Sequence, residues 1–126
     1  MSAKKNSLNY SALVKNLRAE GPGRLYLLWG EEDYLRAQFL TELRRLCLPD
    51  GGNDFCDRRL DGSELDVSEL RDSVDSLPFM SERSFIEVNG FELGSVRAPD
   101  LAAIEKIVAD VPDYCTLVFK IGRAHV

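Results

Sequence analysis

The feature that most restricts the fold is a short apolar strand that leads through a glycine into an amphipathic helix. Residues 25–29, LYLLW, form a continuous apolar run, which is typical of a parallel strand buried on both faces by helices. Gly30 follows, and the next segment repeats apolar residues at helical spacing. The apolar stripe of that helix consists of Leu35, Phe39, Leu43 and Leu46. Nucleotide-binding α/β domains carry their phosphate loop at such a junction, so the segment predicts that architecture.

The loop itself lacks the chemistry that binds phosphate. A phosphate loop needs two glycines that bracket four residues, followed by Lys and Ser or Thr, so that amides and an ammonium surround the phosphates. Here Gly30 is followed by Glu31, Glu32 and Asp33. These carboxylates suit the positive end of a helix dipole, but they would repel a triphosphate. We therefore predict a degenerate nucleotide loop with N-capping acids, and we expect no cofactor.

Helix and strand signals alternate along the rest of the chain. The patterns predict helices over residues 10–20, 66–77 and 99–111, and strands over 55–60, 84–88 and 116–119. Asp66 and Glu69 form a capping-box-like helix start, Pro78 ends that helix, and Asn89-Gly90 predicts a turn. The inner stripe of the same helix is Val67, Leu70, Val74 and Leu77. This order predicts an α/β fold with a parallel sheet covered by helices on both faces, in which 55–60 is an edge strand.

Composition narrows the functional classes. The 126 residues are 44% hydrophobic and carry a net charge of −5, which favours one globular domain and argues against a surface that binds nucleic acid by itself. The cysteines, Cys47, Cys56 and Cys115, are spaced unlike zinc ligands, and we interpret them as reduced core or surface thiols. Because no apolar run approaches ~18 residues and the first residues lack a secretion signal, we expect a cytoplasmic protein without a membrane span.

The last six residues, IGRAHV, differ from the pattern before them. They can be encoded by ATC-GGA-AGA-GCA-CAC-GTC, which coincides with the beginning of a widely used sequencing-library adapter. We therefore predict that residues 121–126 are a non-native tail and that the natural protein is longer. For the same reason His125, the sole histidine, is assigned no function.

Several segments together resemble the delta subunit of the bacterial DNA polymerase III clamp loader. The resemblance covers about residues 8–119. Its pieces, in the order and spacing of the family, are the helix over 10–20, LYLLWGEEDYL at 25–35, RRLDGSELDVSEL at 58–70, SLPFMSERSFIEV at 76–88 and TLVF at 116–119.

The resemblance implies a RecA-like domain of the AAA+ type that has lost nucleotide binding and has no enzymatic activity. Asn89 stands where an active ATPase would place its metal-binding Asp. Implied partners are the sliding clamp (the beta subunit) and the other clamp-loader subunits, which bind ATP, whereas DNA is met only indirectly. Family members continue with a further strand, a small helical domain and a collar domain, so residues 1–120 are expected to be an incomplete N-terminal domain.

In the family, a hydrophobic tip before the third strand engages the clamp, and the matching residues are Leu77, Pro78, Phe79 and Met80. A physical argument supports this site, because Pro78 breaks the helix and turns the chain, so that Phe79 and Met80 fall at a loop tip. Aromatic and Met side chains are common anchors of protein interfaces. The alternative is that Phe79 and Met80 cap the sheet as core, and Leu77 could equally complete the inner helix stripe.

The sequence is also compatible with two other functions. The first is a divergent NTPase that uses the Gly30 turn and a magnesium site at residues 31–33; Trp29 would then stack a base, although a strand-end tryptophan is more typical of a core. The second is a regulatory domain with an exposed acidic pocket and a nearby lysine. Its candidate residues are Asp57, Asp61, Lys106 and Lys120. We otherwise expect Asp57, Asp61 and Glu64 to be solvated near a turn.

Overall fold

The computed structural model describes residues 19, 21–28, 33–53, 55–78 and 80–121, and only the backbone of residues 33–35 and 93. The elements are β1 (Leu25–Leu28), α1 (Asp33–Cys47), β2 (Asp57–Asp61), α2 (Val67–Asp75), β3 (Ser84–Phe91), α3 (Ala98–Ala109) and β4 (Cys115–Ile121), with short 3₁₀ turns at Gly62–Glu64 and Leu93–Ser95. The predicted helix over 10–20 lies outside the described residues except for Ala19, which is helical. Residues 122–126 also lie outside them, so the non-native tail stays a prediction.

The strands form one sheet in the order β1-β4-β3-β2, and every neighbouring pair is parallel. This confirms the predicted α/β fold with a parallel sheet. It also confirms that β2 is an edge strand, because β2 pairs with β3 alone among the strands that the structure describes. None of the described helices is long and apolar enough to span a membrane.

Helices pack on both faces of the sheet, as predicted. On one face, α1 and the segment after it enclose a core of Leu28, Phe39, Leu40, Leu43, Cys47, Leu48, Cys56, Phe85 and Val118. On the other face, α2 and α3 enclose a core of Leu70, Val74, Ile86, Val88, Phe91, Ile104, Ile107, Val111, Cys115, Leu117 and Phe119. The cysteines are therefore buried core thiols, and all are free.

The prediction that the first strand is buried on both faces is wrong. β1 is the second edge of the described sheet, and Leu25 and Leu27 are 36% and 47% exposed. Their register partners, Leu117 and Phe119, are buried under α2 and α3. An apolar run indicates a strand buried on both faces only where helices extend over both faces; α1 covers the side of β1 that carries Leu28, whereas the side that carries Leu25 and Leu27 stays partly exposed.

The predicted turn at Asn89-Gly90 is also wrong, because β3 continues to Phe91. Gly90 has a φ of 68°, and the register with β4 shifts between Val88 and Phe91. A glycine in the left-handed region is well suited to such a bulge, in which the strand bends without ending. Gly62 packs directly against the bulge, where an added Cβ would lie 2.6 Å from the Phe91 nitrogen.

Candidate functional site

The end of α2 places the predicted tip at the edge of the sheet where the strands begin. Asp66 caps the helix start by accepting hydrogen bonds from the Ser68 and Glu69 amides, as the capping-box pattern predicted. The helix ends at Asp75, and Ser76 is extended. The hydroxyl and amide of Ser76 both donate to the Asp72 carbonyl, which satisfies a carbonyl that the ending helix would leave free. Pro78 follows two residues later, and Ser84 begins β3.

Leu77 therefore does not complete the inner stripe of α2, which was one of its two predicted roles. The stripe stops at Val74, which is buried, whereas Leu77 is 74% exposed. The physical reason is that the backbone leaves the helix at Ser76, so helical spacing no longer controls where the next side chain lies. A residue that precedes proline is in any case disfavoured in helical conformation.

The tip, residues Leu77–Met80, presents the two most exposed large apolar side chains among the described residues. Met80 is 84% exposed and Leu77 is 74% exposed, while Pro78 is half-buried and Phe79 lies outside the described residues. Met80 does not cap the sheet as core, so that alternative is wrong for this residue. Its φ of 58° is left-handed, a conformation that costs a non-glycine residue about 1–2 kcal/mol. Two exposed apolar side chains on a turned loop can serve as anchors for a protein partner.

A groove of about 700 Å³ lies beside the tip, between residues 80–83 and the end of α1. Its walls include Met80 and Glu82 on one side and Leu46 and Asp50 on the other. The sequence does not indicate this groove, because its two walls lie about thirty residues apart in the chain. The groove lies at the end of the sheet where the strands begin. A nucleotide would bind at the opposite end, beyond the carboxyl ends of the strands.

Of the predicted degenerate nucleotide loop, the backbone of Asp33 is among the described residues. Trp29, Gly30, Glu31 and Glu32 lie outside the described residues, and Asp33 begins α1, with its side chain outside them. The structure thus leaves the proposed magnesium site of the NTPase alternative untested. Elsewhere in the described ranges, no three His, Cys, Asp or Glu side chains cluster as metal ligands.

Asn89, the residue at the expected metal-binding position, lies in the bulge of β3. Its Oδ1 atom is buried and accepts no hydrogen bond from any described residue. A neutral amide supplies no negative charge to balance a magnesium ion.

An ion cluster on the α1 face of the sheet was not predicted. The Arg44 guanidinium pairs with Asp57 and donates to Glu87 Oε1 at 2.6 Å, while Lys120 Nζ lies 3.7 Å from Glu87 Oε2. Arg44 also lies over the Phe85 ring, with its Cζ 4.5 Å from the ring centroid. The only signal in the sequence is a charged residue, Glu87, inside the apolar strand FIEV.

The cluster corrects the prediction that Asp57 is solvated, because its side chain is only 25% exposed and is paired with Arg44. Lys120 pairs with Glu87. Asp57 and Lys120 are therefore both engaged in the ion cluster and are not available for the acidic pocket of the regulatory alternative. Asp61 is exposed, as expected, and hydrogen bonds from the Ser63 hydroxyl and amide lower the pKa of its carboxyl group.

Comparisons with known proteins relate this chain to one family and to solved structures of similar fold. Residues 26–125 match the family described as DNA polymerase III, delta subunit. The chain is similar in structure to a Bacillus subtilis DNA clamp loader delta protein, with a TM-score of 0.74 and 20% identity. It is also similar to a Thermotoga maritima protein related to the DNA polymerase III gamma subunit, with a TM-score of 0.66 and 16% identity.

Each structural match covers 90% of this chain but only 36% and 39% of the respective matched chains. The chain therefore spans little more than a third of the length of these proteins. No curated protein sequence matches it.

Proposed function

Since the chain belongs to the DNA polymerase III delta-subunit family, we propose that it binds the sliding clamp, the beta subunit, through the hydrophobic tip Leu77, Pro78, Phe79 and Met80. The observation that carries this proposal is the exposure of Met80 and Leu77, 84% and 74%, on one loop. Water in contact with two large apolar side chains is released when they enter an apolar pocket, which favours association. Such anchors contribute ~2 kcal/mol or more each.

In the complete protein, the tip would bind the open form of the clamp ring more tightly than the closed form. A ligand shifts such an equilibrium only by the difference between its affinities for the two states. This contact would help to hold one ring interface open while DNA enters during replication in the cytoplasm. Partner subunits of the loader would bind ATP, and this domain would act without chemistry of its own.

The experiment compares two leucine substitutions in the full chain. Leu77→Ala should weaken binding to immobilised clamp about tenfold or more, because it removes an anchor from the tip. Leu27→Ala is the matched control, since Leu27 is also an exposed leucine but lies on β1, two strands away from β3. Phe79→Ala with Met80→Ala should abolish detectable binding. Circular dichroism should show that all variants keep the fold.

Unchanged clamp affinity in the Phe79→Ala, Met80→Ala variant would overturn the proposal. Calorimetry with magnesium-ATP tests the rest of it, because the absence of a Lys and a second glycine from the loop predicts no binding. Micromolar ATP affinity would instead favour the divergent NTPase.

A further inference from the structure

The chain enters the tip through Asp75 and Ser76, called the α2 limb, and returns to β3 through residues 81–83, called the β3 limb. A side chain from outside the tip contacts the α2 limb. The hydroxyl of Tyr114 donates a hydrogen bond of 2.6 Å to the carbonyl of Asp75, the last residue of α2. Carbonyls in the last turn of a helix have no partner within the helix, so this bond satisfies one of them. The ring of Tyr114 packs against the core under α2 and α3. Its hydroxyl is therefore fixed relative to the sheet.

The β3 limb contacts residues 114–116, the segment to which Tyr114 belongs. Arg83 Nη1 donates to Thr116 Oγ1 at 3.1 Å and to the Cys115 carbonyl at 3.4 Å. The amide of Ser84 donates to the Tyr114 carbonyl at 2.8 Å. Both limbs of the tip are thus attached to residues 114–116, where β4 begins.

We propose that Tyr114 is a positioning residue for partner binding: its hydroxyl holds the α2 limb so that the tip is presented in its bound conformation. This proposal rests on the proposed function. A loop fixed at both limbs loses less conformational freedom on binding than a loop fixed at one. If only a fraction of molecules holds the competent conformation, the apparent dissociation constant rises by the inverse of that fraction. Tyr114 contacts the helix end and acts on the clamp only through the tip.

The test is Tyr114→Phe, which removes the hydroxyl and keeps the ring. The expected result is clamp binding weakened about fivefold, the change for one hydrogen bond, with faster amide exchange at residues 76–83. The matched control is Tyr26→Phe. Tyr26 also makes one hydrogen bond to the backbone, from the Gly23 amide at 2.7 Å, but it packs on the α1 face. The control should keep the affinity of the parent chain.

A second measurement separates positioning from a general loss of stability. In a Leu77→Ala, Phe79→Ala, Met80→Ala background the tip has no large apolar side chain left to position, so adding Tyr114→Phe should leave any residual affinity unchanged. If Tyr114→Phe and Tyr26→Phe weaken binding equally, or if Tyr114→Phe has no effect while the tip variants do, the positioning role is overturned and clamp binding stands. If the tip variants bind normally, the proposed function fails, and the positioning role fails with it.

Discussion

Replacing Arg44 with methionine should destabilise the domain strongly, because it leaves a buried carboxylate without its main partner. The Glu87 side chain is only 8% exposed, and Arg44 Nη2 lies 2.6 Å from its Oε1. After the change, the cation nearest to Glu87 in the ion cluster is Lys120, at 3.7 Å from the other oxygen. Methionine keeps an apolar chain over Phe85, so the change isolates the charge.

The expected loss follows from the burial of the cluster. Removing one partner of a buried ion pair costs about 3–5 kcal/mol. Arg44 and Asp57 are still 23% and 25% exposed, so water can compensate part of the loss, and the lower end, about 3 kcal/mol, applies. Domains of this size have ~5–15 kcal/mol of stability, so the variant would lose a fifth or more of it.

Urea denaturation followed by circular dichroism measures the change. With a slope of about 1–3 kcal/mol per molar urea, a loss of 3 kcal/mol lowers the midpoint by roughly 1–3 M. Arg45→Met is the matched control, because Arg45 is the next residue and is 61% exposed, and its partner Glu42 is 14% exposed. Because water reaches the Arg45 guanidinium, we expect its loss to cost about 1 kcal/mol or less, well below the cost for Arg44.

Equal midpoints for Arg44→Met and Arg45→Met would refute the reasoning. The cause can be checked by adding Glu87→Gln to Arg44→Met. A neutral amide at this position needs no counter-charge, so the double variant should recover part of the lost stability. Further loss in the double variant would show that Glu87 is stabilised by groups other than Arg44.

Two further predictions concern packing and burial. Gly62→Ala should lower the free energy of unfolding by about 1–3 kcal/mol in urea denaturation, because the added Cβ would lie 2.6 Å from backbone atoms of Phe91. Gly94→Ala is the control, since nothing lies within 4 Å of its added Cβ, and equal losses in the two variants would contradict the close approach. Burial raises the pKa of the Cys115 thiol from 9.0 to about 11. Between these values the folded state keeps a proton that the unfolded state releases, so the stability present below pH 9 should fall as the pH rises towards 11. Urea midpoints should fall less in Cys115→Ala, and an identical decline would assign the effect to other groups.

Local signals in the sequence predicted the elements well, because their causes lie within a few residues. Asp66 accepts from amides two and three residues ahead, so the start of α2 could be predicted from its neighbours. The order of helices and strands predicted a parallel sheet, because parallel strands need a crossover connection. The bulge at Gly90 was mistaken for a turn, since a glycine with positive φ serves both and only the pairing with β4 distinguishes them.

Features that depend on distant residues were out of reach. Arg44, Asp57, Glu87 and Lys120 belong to four different elements, and no spacing rule relates them. The exposure of β1 depends on which strands lie beside it, which an apolar run does not encode. The tip was predicted from the family resemblance together with Pro78, which marks the turn locally, whereas the attachment of Asp75 to Tyr114 joins residues 39 apart.

The geometry of the sheet separates the predicted degenerate loop from the proposed interaction surface. The four described strands are parallel, so they all begin at one end of the sheet and finish at the opposite end. The degenerate loop follows the carboxyl end of β1, while the tip precedes the amino end of β3, whose eight residues correspond to about 26 Å. Two hydrogen bonds support the tip: the Tyr114 hydroxyl donates to the Asp75 carbonyl, and Arg83 donates to Thr116 in β4. Neither bond involves the residues after β1. We therefore expect substitutions in the loop to leave the contacts made by Tyr114 and Arg83 unchanged.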